Sequence, residues 1–196
     1  MDRKTDRQYS ILIVSASEKF NTLVKRSIPI NSFNVIEVRS SISQASRELL
    51  SRKYDITVIN APLPDDIGIN FAIDVSSRYA SGTMLVTPGE ICDEVTDHVL
   101  DYGVIAVPKP INKSTISSVI RHLLADQDKI KNLEKKLSQA EDKLDEMRIV
   151  NKAKWLLIAN EDMTEAEAHR YIGKTAMDKC ASKRIIAEEI IDKWED

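Results

Sequence analysis

Ile11-Leu12-Ile13-Val14 is an unbroken apolar run, and a segment of helical length at 18–27 follows it closely. The same unit recurs along the next hundred residues. Val35-Ile36-Glu37-Val38, Ile56-Thr57-Val58-Ile59, Met84-Leu85-Val86 and Val104-Ile105-Ala106-Val107 are short β-rich runs, and segments of helical length lie at 41–52, 68–79 and 91–102. A fifth helix is expected after Lys109-Pro110-Ile111, with Ser114 as its N-cap. Apolar runs of this length suit strands buried on both faces. Their alternation with helices predicts an α/β fold, a five-stranded doubly wound parallel sheet.

The composition shifts beyond this region. All six prolines and four of the five glycines fall between residues 10 and 112, and Gly173 alone lies later. The 196 residues therefore suit one ordinary domain and a smaller helical module. A net charge of −3 excludes a globally basic nucleic-acid coat protein. No apolar run is long enough for a transmembrane helix, and Met1 to Ser10 is polar, without the apolar core of a signal peptide. Cys92 and Cys180 are far apart and belong to no CxxC or Cys/His cluster, so reduced thiols of a cytoplasmic protein are expected, with no metal site.

From residue 130 the apolar positions fall into heptads. Ile130, Leu137 and Leu144 occupy a, and Leu133, Ala140 and Met147 occupy d. In a parallel pair of helices the g-to-e partners are Lys129 with Glu134, Lys136 with Glu141 and Lys143 with Arg148, of which two attract. The seam predicts a parallel homodimer, with Asn151 at the next a position. Asp126 interrupts the pattern upstream, so a frayed junction is expected there. Beyond it, Ala153 to Asn160 continues the helix. Thr164 and Glu167 form a capping box for a second helix striped by Ala168, Ile172 and Ala176, with Tyr171 and Thr175 beside them. Ser182 caps a third helix with Ile185, Ile186, Ile190 and Trp194 on its stripe. Tyr171, Trp155 and Trp194 are read as packing residues, and His169 as exposed. The division is 1–125, 126–150 and 151–196.

Several motifs of the first part together resemble a response-regulator receiver domain. They are the first apolar run, Tyr54-Asp55 before the third, Leu63-Pro64-Asp65-Asp66-Ile67-Gly68, Met84-Leu85-Val86-Thr87, Gly103 and Pro108-Lys109-Pro110. The resemblance implies a phosphoacceptor aspartate after the third strand and an acidic pair after the first. Here Asn60 stands at the former and Ser15-Ala16-Ser17 at the latter. An amide is not a nucleophile for phosphoryl transfer, and without the pair little remains to hold the divalent ion. Thr87 and Lys109 match the family's phosphate-sensing residues; alone they read as a structural residue and a partner of Asn60. The region is expected to be a pseudo-receiver, on which a regulatory protein could dock. Asp65 and Asp66 read as turn residues after Pro64.

The last part resembles the ANTAR domain, an RNA-binding antiterminator module. The resemblance rests on Ala153-Lys154, Leu156-Leu157, Thr164-Glu165-Ala166-Glu167-Ala168, Lys174-Thr175-Ala176-Met177-Asp178 and Ser182-Lys183-Arg184-Ile185-Ile186-Ala187-Glu188. Trp155 and Cys180 depart from the family's usual residues. The resemblance implies a dimer that binds paired hairpins in leader RNA and so prevents terminator formation, without catalysis or a cofactor. Residues 151–196 carry 8 Lys/Arg against 10 Asp/Glu, so any basic face arises by segregation. Lys154, Arg170, Lys174, Lys183 and Arg184 are the candidate RNA contacts, Arg170 and Lys174 lying one turn apart. Two other functions fit parts of the pattern. A DNA-binding response regulator needs a recognition helix, and Glu188, Glu189 and Asp192 make the last helix a poor one. A protein-interaction module that has lost RNA binding fits the acidic balance.

Overall fold

The computed structural model describes residues 8–29 and 32–195, so Met1–Arg7 of the polar N-terminal stretch lies outside the described residues. The chain divides into two compact units, Met1–Ile130 and Lys131–Asp196.

In the first unit, β1 (Tyr9–Val14), β2 (Phe33–Arg39), β3 (Ile56–Asn60), β4 (Gly82–Thr87) and β5 (Ile105–Pro108) form an all-parallel sheet in the order β2-β1-β3-β4-β5. Alternate residues of each central strand face opposite layers. Leu12, Val14, Ile59 and Leu85 enter one core with Leu49, Phe71, Val75 and Val95, which belong to α2 (Ile42–Ser51), α3 (Ile69–Tyr79) and α4 (Cys92–Val99). Ile11, Ile13, Val58 and Met84 enter the other with Phe20 and Val24 of α1 (Glu18–Ser27) and with Ile116, Ile120 and Leu123 of α5 (Lys113–Glu161). The doubly wound α/β reading holds.

Four local expectations need correction. Strand β2 is an edge and only partly buried, with Glu37 paired to Arg39 at 2.9 Å. Its short apolar run therefore does not mark burial on both faces. The expected 91–102 helix is shorter, because single 3-10 turns at Gly89–Ile91 and Leu100–Tyr102 flank α4 and the latter ends at Gly103 with φ +70°. The N-cap of α5 is Asn112, whose Oδ1 accepts from the Thr115 amide at 3.0 Å, and Ser114 lies inside the helix. Finally, α5 runs without interruption past Asp126. Gln127 is buried and donates to the Ala80 carbonyl at 2.9 Å, and the Tyr9 hydroxyl donates to Asp128 at 2.8 Å. Asp126 itself is exposed and pairs with Lys129 one turn on, so nothing there opposes the helix.

Helix α5 packs closely over position 82 of the sheet, so that a side chain there would require its neighbours to shift by a few tenths of an ångström. A Cβ on Gly82 would lie 3.1 Å from Ile56 Cδ1 and 3.2 Å from Leu123 Cβ.

In the second unit α5 continues to Glu161, followed by α6 (Glu165–Asp178) and α7 (Lys183–Glu195). Their core is Ala153, Leu157, Ala168, Ile172, Ala176, Ile186, Ala187 and Ile190. The capping box forms as the spacing predicts, with the Glu167 amide reaching Thr164 Oγ1 at 3.3 Å and Glu167 Oε2 accepting from the Thr164 amide at 2.8 Å. Ser182 Oγ accepts from the Ile185 amide at 3.3 Å. Ile185 is exposed rather than part of the stripe, and the buried residues of α7 are Ile186, Ala187 and Ile190.

Candidate functional site

At the C-terminal ends of β1, β3, β4 and β5 the fold brings Ser15, Asn60, Thr87 and Lys109 together, with Ala16 exposed beside them. The Asn60 amide nitrogen donates to Ser15 Oγ at 3.0 Å, and Ser15 Oγ also accepts from the Ser17 amide at 3.1 Å. Asn60 Oδ1 is enclosed without a hydrogen-bond partner. Lys109 is not a partner of Asn60. Its Nζ donates to the Ala61 carbonyl at 2.5 Å, and burial holds its pKa below the ordinary lysine value. Thr87 is buried and its hydroxyl donates to the Pro88 carbonyl at 2.9 Å. The adjacent carboxylates Asp65 and Asp66, in the loop after β3, are bonded to backbone amides. Asp65 accepts from the Ile42 and Ser43 amides at 3.0 Å and so caps α2, which holds its pKa low, first through the Ser43 amide. Asp66 accepts from the Gly68 amide at 2.6 Å, where φ +89° needs glycine. Among the described residues no group of three His, Cys, Asp or Glu side chains is arranged to hold a metal ion.

In the second unit the five candidate cations separate into two kinds. Lys154 has a side chain only 15% exposed and donates to Glu165 at 3.0 Å, joining α5 to α6. Its stem is therefore largely covered, while the Glu165 carboxylate it reaches is exposed. Arg184 pairs with Glu188 at 2.8 Å, which raises its pKa, and Asp142 and Asp145 on α5 add to the effect. Arg170, Lys174 and Lys183 form no salt bridge among the described residues, though Arg170 lies in the field of Glu167. The stem of Lys183 passes Gly173, whose added Cβ would meet Lys183 Cε at 4.0 Å, so α7 starts beside the turn that carries Arg170 and Lys174.

The rings depart from expectation. Trp155 is 71% exposed and Tyr171 46% exposed, so neither is a core residue. Tyr171 lies one position off the buried Ala168–Ile172–Ala176 row. Trp194 does pack on the core, with Lys193 Nζ over its ring at 4.4 Å. His169 is exposed.

The seam positions Ile130, Leu133, Leu137, Leu144 and Met147 are 42–63% exposed, and Ala140 is exposed among them. Both cysteines are free, Cys92 buried and Cys180 exposed. Among the described residues no helix is long and apolar enough to cross a membrane.

The five-stranded parallel sheet with helices on both faces gives the first unit the fold of a receiver domain. The second part is more particular: residues 138–191 match the ANTAR domain. Over 141 residues the chain is 26% identical to transcriptional regulatory protein PdtaR of Mycobacterium tuberculosis, covering 71% of this chain and 68% of that protein. The fold resembles the signal receiver domain of an HD domain-containing protein from Pseudomonas fluorescens, with TM-score 0.55, 18% identity, and coverage of 67% of this chain and 97% of that one. It also resembles a CheY-like response regulator receiver domain protein from Methanospirillum hungatei, with TM-score 0.55, 18% identity, and coverage of 62% and 98%.

Proposed function

We propose that this protein is a non-enzymatic, RNA-binding transcription antiterminator of the cytoplasm, which stabilises paired hairpins in nascent leader RNA. The match of residues 138–191 to the ANTAR domain carries the reading. Residues 1–125 serve as a pseudo-receiver that takes no aspartyl phosphate, with a face for a regulatory protein. Residues 126–150 dimerise in parallel through Ile130, Leu133, Leu137, Ala140, Leu144 and Met147. Residues 151–196 bind RNA.

Within that last part Arg170, Lys174 and Lys183 are the leading phosphate contacts, because no carboxylate is bonded to them. Lys183 also stands at the N-terminus of α7, where amide donors and the helix dipole favour an anion. Lys154 and Arg184 must exchange a carboxylate for a phosphate, so each contributes less. RNA hairpins are bound through backbone charge and through unstacked loop bases, and both demands suit a small module with cations beside exposed rings.

The test is a titration of a two-hairpin RNA against wild type and Lys174→Ala/Lys183→Ala at two salt concentrations, with circular dichroism to check folding. Each lost phosphate contact should lower the salt slope by about 0.7 to 0.9. Unchanged affinity and slope in the folded variant would remove this face. The protein-interaction reading would then lead.

A further inference from the structure

An open cavity of about 560 Å³ lies against α6 and the turn before it. Its volume falls within the roughly 300–1,000 Å³ of small-molecule sites. Tyr171 and Met163 supply its apolar wall, and Arg170 and Lys174 stand on the same helix one turn apart. Neither the ring nor the hydroxyl of Tyr171 has a partner among the described residues, although the ring borders the core stripe.

The charges around the cavity select its occupant. Glu161, Asp162 and Glu167 also line it. Glu167 is held by Thr164, and Glu161 pairs with Lys193 at 3.2 Å, whereas Asp162, at φ +51° in the turn, forms no ion pair among the described residues. Three carboxylates oppose a phosphate inside the cavity. A neutral ring that offers N–H donors meets acceptors there and a face on which to stack. We propose that the cavity is a nucleobase pocket: one unstacked base of an RNA hairpin loop stacks on Tyr171 and offers its amino group to Asp162, while Arg170 and Lys174 hold the flanking phosphates. The pocket rests on the RNA-binding reading and adds base selection to it. Stacking gives affinity for any base, and Asp162 favours adenine, cytosine or guanine, whose exocyclic amines are donors.

The probe is a two-hairpin RNA selected on the full-length protein from a pool with randomised loops. Its affinity is measured for wild type, Tyr171→Phe and Tyr171→Ala, with the intact RNA and with an abasic residue at each loop position in turn. Tyr171→Phe keeps the ring and should keep the affinity. Tyr171→Ala should weaken binding about 5- to 150-fold, and one abasic position should cost wild type a similar factor while costing Tyr171→Ala almost nothing. Ultraviolet cross-linking of the wild-type complex, which needs no variant, should attach that nucleotide to the peptide carrying Tyr171. Equal affinity for Tyr171→Ala, with abasic penalties identical to those of wild type, overturns the pocket but leaves RNA binding intact. Cross-links confined to other peptides do the same. A pool from which no hairpin is enriched overturns both readings.

Discussion

Truncating Leu137 at the centre of the heptad seam should dissociate the proposed dimer. The side chain is 60% exposed in the single chain, and its neighbours at a and d are exposed to a similar degree. Fully burying a leucine contributes about 1.5–3 kcal/mol, so covering the exposed part of Leu137 contributes about 1–2 kcal/mol on each helix. Two helices meet in one layer, and Leu137→Ala should therefore cost the dimer about 2–4 kcal/mol, or about 30- to 800-fold in dissociation constant. Leu137→Asp goes further, because it sets two carboxylates in the same layer without partners. The monomer should tolerate both changes, since Leu137 packs on none of its buried clusters. Sedimentation velocity over a concentration series reads the constant directly, and circular dichroism confirms that the helix persists. A wild-type chain that stays monomeric at tens of micromolar refutes the seam, as does a Leu137→Asp chain that stays dimeric.

Incubation with a small-molecule phosphodonor and magnesium should leave the mass of the protein unchanged, because Asn60 stands where the acceptor carboxylate would be; an acyl-phosphate by mass spectrometry contradicts this. Ile172→Ala should destabilise the second unit by about 2–5 kcal/mol, as expected for truncating a buried isoleucine that is 1% exposed, and denaturant titration followed by circular dichroism measures it. The amides of Ser43 and Ile42 hold the Asp65 carboxyl below its unfolded pKa. Its contribution is therefore present above the unfolded value of about 3.9 and is lost as pH falls through the folded one, so the thermal midpoint of Asp65→Asn should depend less on pH in that acidic range than that of wild type.

Much of the first unit was legible because the strands are short, largely apolar runs and some of the helices carry a local start signal. Ser17, for example, accepts from the Phe20 amide and caps α1. Edge position was not legible: Val35-Ile36-Glu37-Val38 resembles a central strand, and only the strand order puts it outside. The partners of Asp65 and Gln127 were equally hidden, since each bonds to backbone more than twenty residues away in sequence. In the second unit the capping box and the Ala168–Ile172–Ala176 row could be read from spacing. The pairing of Lys154 with Glu165 could not, because it depends on how α6 folds back on α5. Tyr171 was misplaced for a different reason. An aromatic residue next to a buried row satisfies a hydrophobic pattern whether it turns inward or outward.

The brevity of the seam has a consequence for control. Its six apolar positions span 130–147, fewer than three heptads, and one of them is the small Ala140. A proposed dimer held by so short a contact assembles in proportion to the square of the free chain concentration when chains are dilute. Doubling the chain then nearly quadruples the assembled form. With Asn60 in place of the acceptor, such a protein would read its own abundance, and any partner that withdrew half of the chains would act on the RNA with the same steepness.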